Sequence, residues 1–131
     1  MTDLQQTFND FAYNGEQSEM IKLISQNPTY KFGFNRTLYW ACYGEQKEIA
    51  EWLIETYNIT QFNEALYEAF INDKKEIIKL LINKCPINYI QFEKYVMEEF
   101  CETKDIRCYD ILREVKDLLK EKSTQVIIET D

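Results

Sequence analysis

Histidine is absent from this chain, and serine occurs only at Ser18, Ser25 and Ser123. Neither a Ser-His-Asp nor a Cys-His catalytic set can be built from such a sequence. The phosphate cradles G-x-x-x-x-G-K-[ST] and G-x-G-x-x-G are missing as well. Glycine (three) and proline (two) are scarce, which suits a helical chain with short turns. The cysteines, Cys42, Cys85, Cys101 and Cys108, form no C-x-x-C pair. Without histidine they meet no common zinc spacing, so no metal and no cofactor is expected. They read as reduced thiols in a helical core, and a Cys101–Cys108 redox pair has nothing to support it. No apolar run approaches the roughly 18 residues of a membrane-spanning helix. The start, Met1-Thr-Asp-Leu-Gln-Gln, lacks the basic and apolar regions of a secretory signal. The sequons at Asn35 and Asn58 are therefore read as accidental, and a cytoplasmic protein is expected. Paired carboxylates such as Glu98-Glu99 read as solvated charge on a helix face, so the chain is not expected to be an enzyme.

What is present points to a folded protein. Of its 131 residues, 45% are apolar and 15% aromatic, enough for one domain with a core and too many for intrinsic disorder. The net charge of −8 is shared equally by residues 1–60 and 61–131, so there is no acidic tail. An acidic surface disfavours direct binding of nucleic acid or anionic membranes.

Three stretches are nearly alike. They are Ala12-Tyr-Asn-Gly15-Glu-Gln-Ser-Glu19-Met20, Ala41-Cys-Tyr-Gly44-Glu-Gln-Lys-Glu48-Ile49 and Ala69-Phe-Ile-Asn72-Asp-Lys-Lys-Glu76-Ile77. The alanines stand 29 and 28 residues apart. Recurrence at such a period marks a repeat array. Each unit reads as two helices. Leu38, Ala41 and Cys42 share one face, and Ile49, Trp52, Leu53 and Ile54 form the stripe that follows Gly44. The third unit repeats this with Leu66, Ala69 and Phe70, then Ile77 to Ile82. The first offers Phe8, Phe11 and Ala12, then Met20 to Ile24. Glu19, Glu48 and Glu76 are placed in the first turn of each second helix, where the helix dipole favours a negative charge. Pro28 and Pro86 would end two of these helices. A fourth, atypical unit pairs Tyr89–Cys101 with a longer helix over 105–122, and Glu98 stands where its alanine would be. The expected domain is therefore 1–122, in units of about 4–33, 34–61, 62–88 and 89–122, with a loose tail over 123–131.

The second unit, Arg36-Thr-Leu38-Tyr-Trp-Ala41-Cys42 through Glu48-Ile49 and Leu53, resembles an ankyrin repeat, whose pattern runs T-P-L-H-x-A-A-x-x-G-H-x-E-[IV]-V-x-x-L-L. The third matches at Leu66, Ala69, Glu76, Ile77 and Leu80-Leu81, and the first more loosely. Thr-Pro is missing from every unit, and the histidine position holds Asp10, Tyr39 and Tyr67. The period is four to five residues short of about 33. The resemblance implies an all-α array, a short α-solenoid of about four helix-turn-helix repeats with reduced β-hairpin fingers, of the kind large DNA viruses and some intracellular microbes carry; another helical-hairpin array is the alternative. It further implies a concave face for a protein partner, which would include Asp10, Asn14, Arg36, Tyr39, Tyr43, Tyr67 and Ile71. Tyrosine and arginine are favoured interface anchors. Trp40 and Trp52 fall at inward positions and read as core.

Three functions compete. The first is a non-catalytic interaction module holding a partner protein, a host factor if the viral likeness is meaningful. The second is an acidic inhibitor that imitates nucleic acid. The third is a structural protein that self-associates as a weak homo-oligomer, with Phe8 and Phe11 at an exposed end.

Overall fold

A computed structural model describes the backbone of residues 3–129 and the side chains of residues 3–124. Among the described residues there are eight helices and no strand. They are α1 (Leu4–Asn14), α2 (Gln17–Gln26), α3 (Phe34–Tyr43), α4 (Lys47–Thr56), α5 (Asn63–Ile71), α6 (Lys75–Lys84), α7 (Tyr89–Thr103) and α8 (Arg107–Glu129). None is long and apolar enough to cross a membrane.

Local chemistry explains several boundaries. Asp3 caps α1 by accepting from the backbone N–H groups of Gln5 and Gln6, at 3.0 and 3.2 Å. Asn88 caps α7 in the same way through Gln91. Pro28 and Pro86 lie in the connectors after α2 and α6. Glu19, Glu48 and Glu76 sit in the first turns of α2, α4 and α6.

Consecutive helices pair as hairpins, and each hairpin packs on the next. Helix α3 contacts α1 and α5, α5 contacts α7, α4 contacts α6, and α6 contacts α8. Phe8, Leu38, Leu66 and Phe92, one from each first helix, are wholly buried. Met20, Leu53, Leu81 and Val115 answer them from the second helices. Burial of such side chains contributes about 1.5–3 kcal/mol each before chain entropy is counted.

The hairpin turns correct the register of the repeat. A residue with positive φ closes each one, at Gly15, Glu45, Asp73 and Lys104. The next residue in the first three, Glu16, Gln46 or Lys74, donates its backbone N–H to the carbonyl of Phe11, Ala41 or Ala69. The equivalent residues are thus Phe11, Ala41 and Ala69, and the spacing is 30 then 28. Matching Gly15 to Gly44 displaces the first unit by one residue. The two glycines do different work. Gly15 supplies the left-handed conformation, at φ 80°, which L-residues adopt at a cost of about 1–2 kcal/mol. Gly44 has an ordinary φ, but a Cβ there would lie 2.3 Å from the Tyr13 carbonyl oxygen.

That close approach is part of a recurring joint. Gln46 Nε2 donates to the Tyr13 carbonyl at 3.2 Å, Lys74 Nζ to the Tyr43 carbonyl, and Arg107 Nη1 to the Ile71 carbonyl at 3.3 Å. In each case the start of a second helix is tied to the end of the first helix of the preceding hairpin. The connectors 27–33, 57–62 and 85–88 carry no strand. Instead, Phe32 and Phe62 fold inward, and Tyr57 stacks on Phe34 with centroids 3.7 Å apart.

Four expectations fail. Phe8 is covered by Phe32 at 4.4 Å and Phe34 at 5.9 Å, and Phe11 is half-buried, so they form no exposed end. Cys101 is exposed while Cys42, Cys85 and Cys108 are buried, because Phe92 and Val96 set the inward stripe of α7 and Cys101 falls off it. Trp52 is only half-buried and meets Tyr57 edge-on at 5.8 Å. Lastly, α8 continues to Glu129 instead of ending in a loose tail at Ser123. No glycine or proline interrupts that stretch, and Thr124 Oγ1 donates to the Lys120 carbonyl. Thr130 and Asp131, the end of the expected tail, lie outside the described residues.

Candidate functional site

Helices α1, α3, α5 and α7 lie side by side, and their outward faces gather aromatic rings. On α3, positions i and i+4 bring Tyr39 and Tyr43 together, stacked at 6.1 Å. Tyr13 from α1 extends the row, stacked on Tyr43 at 6.0 Å. Trp40 touches all three rings edge-on, at 5.3 to 6.3 Å. Two cations cover the row: the Arg36 guanidinium carbon is 4.5 Å from the Tyr39 centroid and Lys74 Nζ is 4.7 Å from that of Tyr43. Tyr13 and Tyr43 remain about two-fifths exposed, at 42% and 41%.

Beside this row lies a cleft of about 430 Å³ between the first turns of α3, α5 and α7. Asn35, Arg36 and Tyr39 form one wall, and Gln91 and Tyr95 the other. Glu64 and Ala65 line it from α5, with Thr60, Gln61 and Asn63 completing the rim. The rim is held in place because Asn35 Oδ1 accepts the backbone N–H groups of Thr60 and Gln61, at 2.9 and 3.1 Å. Arg36 Nη1 donates to Glu64 Oε2 at 3.2 Å, tying α3 to α5. Both partners are about half exposed, so this pair adds about 0–1 kcal/mol at most.

The α5–α7 side of the cleft is acidic. Burial pushes the Tyr95 hydroxyl above the usual tyrosine range, and Glu64, Glu99 and Glu68 push it further. Tyr39 is raised by burial and then by Glu68 and Glu64, with Arg36 opposing. The Glu99 carboxyl is itself held above the usual range, first by burial and then by Glu102, Glu68, Glu64 and Glu98. None of these groups is arranged as a nucleophile with a base. Among the described residues no cluster of three or more Cys, Asp or Glu side chains could hold a metal ion.

The residues singled out by sequence do not all converge. Arg36, Tyr39 and Tyr43 meet in the aromatic row. Asp10 is exposed on α1, with its carboxylate accepting from Gln6 Nε2 at 2.8 Å. Asn14 is exposed at the end of α1. Ile71 is half-buried, and its carbonyl receives Arg107. Tyr67 leaves the face: it is 5% exposed, with its hydroxyl 3.6 Å from Cys108 Sγ. Tyr67 occupies the position of Tyr39 but is covered by Tyr95 of α7 and Cys108 of α8. Burial and the Cys108 contact hold the Tyr67 hydroxyl protonated well above the usual range. Trp40, expected in the core, is half-buried and belongs to the row. Sequence reading missed Tyr13, Tyr95, Glu64, Glu68 and Glu99. The i, i+4 pairing of Tyr95 with Glu99 was the available signal.

No family model, curated protein or solved structure matches the chain. The likeness to ankyrin repeats rests on the quoted residues alone.

Proposed function

We propose that this chain is a non-catalytic interaction module, a four-hairpin solenoid of ankyrin-like repeats with its fingers reduced to short connectors, which binds a partner protein on its first-helix face. The stacked row of Tyr13, Tyr43 and Tyr39 with Arg36 and Lys74 over its rings carries this reading. Aromatic and arginine side chains are enriched at interface centres because they combine large contact area with a polar tip. Mutual packing fixes these rings before any partner arrives, which lowers the entropy lost on binding. In the buried core the same rings would need no cations; half exposed beside a cleft, they present a preformed surface. The buried thiols fit a reducing compartment, and the proposal places the protein in the cytoplasm.

The test compares affinity capture by the wild type, by a Tyr39→Ala/Tyr43→Ala variant, and by a Lys79→Ala control on α6. Circular dichroism establishes that all three fold. A protein retained by wild type and control but lost by the double variant supports the reading. Hot-spot tyrosines cost about 2 kcal/mol or more each when truncated, so the loss should exceed tenfold in affinity. Undiminished capture by the double variant removes the first-helix face from the function.

A further inference from the structure

We propose that the groove between α6 and α8 is a second docking surface, and that its occupant is an amphipathic helix of a partner protein, apolar along one stripe, acidic along one flank and basic along the other. The groove shares no residue with the aromatic row or the cleft beside it, so it stands apart from the reading above. It encloses about 480 Å³, over an apolar floor of Phe70, Ile78, Ile111 and Leu118.

The neighbouring seam shows what is different here. Between α4 and α6, Lys47 pairs with Glu76 at 3.4 Å and Lys84 with Glu55 at 3.3 Å, so opposite charges meet across that seam. Both signs also line the groove, Lys75 and Lys79 from α6 and Asp110 and Glu114 from α8. Among the described residues, however, no ion pair joins these two helices. Lys79 turns to Glu76 and Asp110 to Arg113, each on its own helix. Two ties fix α8 beyond the charged walls. Arg107 Nη1 donates to the Ile71 carbonyl at 3.3 Å, and Lys122 Nζ to the Ile82 carbonyl at 2.9 Å. The groove is therefore preformed, which lowers the cost of filling it.

Charge and backbone chemistry choose the occupant. A segment with acids toward α6 and bases toward α8 complements both walls at once, whereas a segment of one sign meets a like-charged wall. Lys75 and Lys79, and likewise Asp110 and Glu114, stand four residues apart on their helices. That is the spacing at which a docked helix presents charges along its flank. The groove runs along α8 from Arg107 to Leu118, about 17 Å at the helical rise. An extended peptide would bring unpaired backbone groups, and two helical walls offer no sheet edge to receive them; a helix satisfies its own.

The experiment is an amide NMR titration of the full chain with a lactam-stapled helical peptide of about three turns. It carries a leucine stripe, glutamates on one flank and lysines on the other. A second peptide has the same stripe with lysines on both flanks. The mixed peptide should shift the signals of Ile78, Ile111 and Leu118 saturably and spare those of Tyr39 and Tyr43. Lys75→Glu/Lys79→Glu gives the groove two acidic walls. It should weaken the mixed peptide about tenfold and turn the preference to the all-lysine peptide. Lys22→Glu/Lys31→Glu makes the same charge change on the first hairpin and should leave the wild-type preference intact. No saturable shifts, shifts outside the groove, or an equal change of preference in both variants overturns the proposal. Shifts of the same signals with the chain's own concentration would make a second copy the occupant, and overturn it too. Neither result bears on the Tyr39 and Tyr43 capture test, so the two readings fail separately.

Discussion

The seam between α1 and α3 is closed, and the seam between α3 and α5 is open. In the corrected register the two use equivalent positions. Across the first, Asn9 faces Thr37, both buried, and Thr37 Oγ1 lies 2.8 Å from Asn9 Oδ1. Gln5 joins them, donating to Asn9 at 2.8 Å and Thr37 at 3.1 Å while accepting from the Gly33 N–H at 2.5 Å. Across the second seam the equivalents of Asn9 and Thr37 are Tyr39 and Ala65. A methyl group cannot answer a tyrosine with a hydrogen bond, and both residues line the cleft instead. At these positions the helix pair is thus sealed where buried polar groups interlock and left open where they do not, and only the exposed Arg36–Glu64 and Asn35 contacts span the second seam. The candidate site occupies the seam that was not sealed.

Breaking the closed seam should have the largest effects. Gly44→Ala drives a Cβ into the Tyr13 carbonyl and should cost about 2–3 kcal/mol, read as a lower urea midpoint. Asn72→Ala, at the equivalent turn, should cost much less, since a side chain is already accommodated there. Similar losses for the two would refute the role of the Gly44 contact. Next, Thr37→Val removes a buried hydroxyl from the polar network and should cost about 1–3 kcal/mol. A double-mutant cycle with Asn9→Leu should show positive coupling, because replacing both partners leaves fewer orphaned groups. Strict additivity would mean that the network does not join the helices.

The smallest effect belongs to the acidic side. Glu99 has a raised folded-state pKa, so the folded chain holds its proton more tightly than the unfolded chain. Its ionised form therefore opposes folding above that pKa, and the penalty disappears below the ordinary glutamate range. Glu99→Gln should raise the thermal midpoint slightly at neutral pH, and the gain should vanish as the pH falls below about 4.3. A gain that persists or grows at low pH would contradict the burial and repulsion assigned to Glu99.

The helical architecture was legible because apolar residues recur at helical spacing. Leu38, Leu66, Leu53 and Leu81 all lie at the core positions their periodicity indicates. The register of the first unit was not, because a glycine needed for φ and a glycine needed for clearance look the same in a sequence. The aromatic row was legible in part. Tyr39 and Tyr43 lie four apart on one helix, but the ring that joins them, Tyr13, comes from another. Tyr67 was misplaced because its burial depends on α7 and α8, the region least like the other units. Glu99, read with Glu98 as solvated charge on a helix face, is set apart only by its burial and by the carboxylates around it.

The joints between hairpins also bear on how the chain reaches its structure. Gln46, Lys74 and Arg107 each reach back only one hairpin, and the extensive helix contacts join a hairpin to itself or to its immediate neighbour. Ordering can then spread stepwise along the chain without first closing a long loop, which favours fast folding. It also makes cooperativity a nearest-neighbour property, as in linear arrays. Amide exchange should reveal this as a gradient: the central α3 to α6 pairs, flanked on both sides, open last, while α1–α2 opens first.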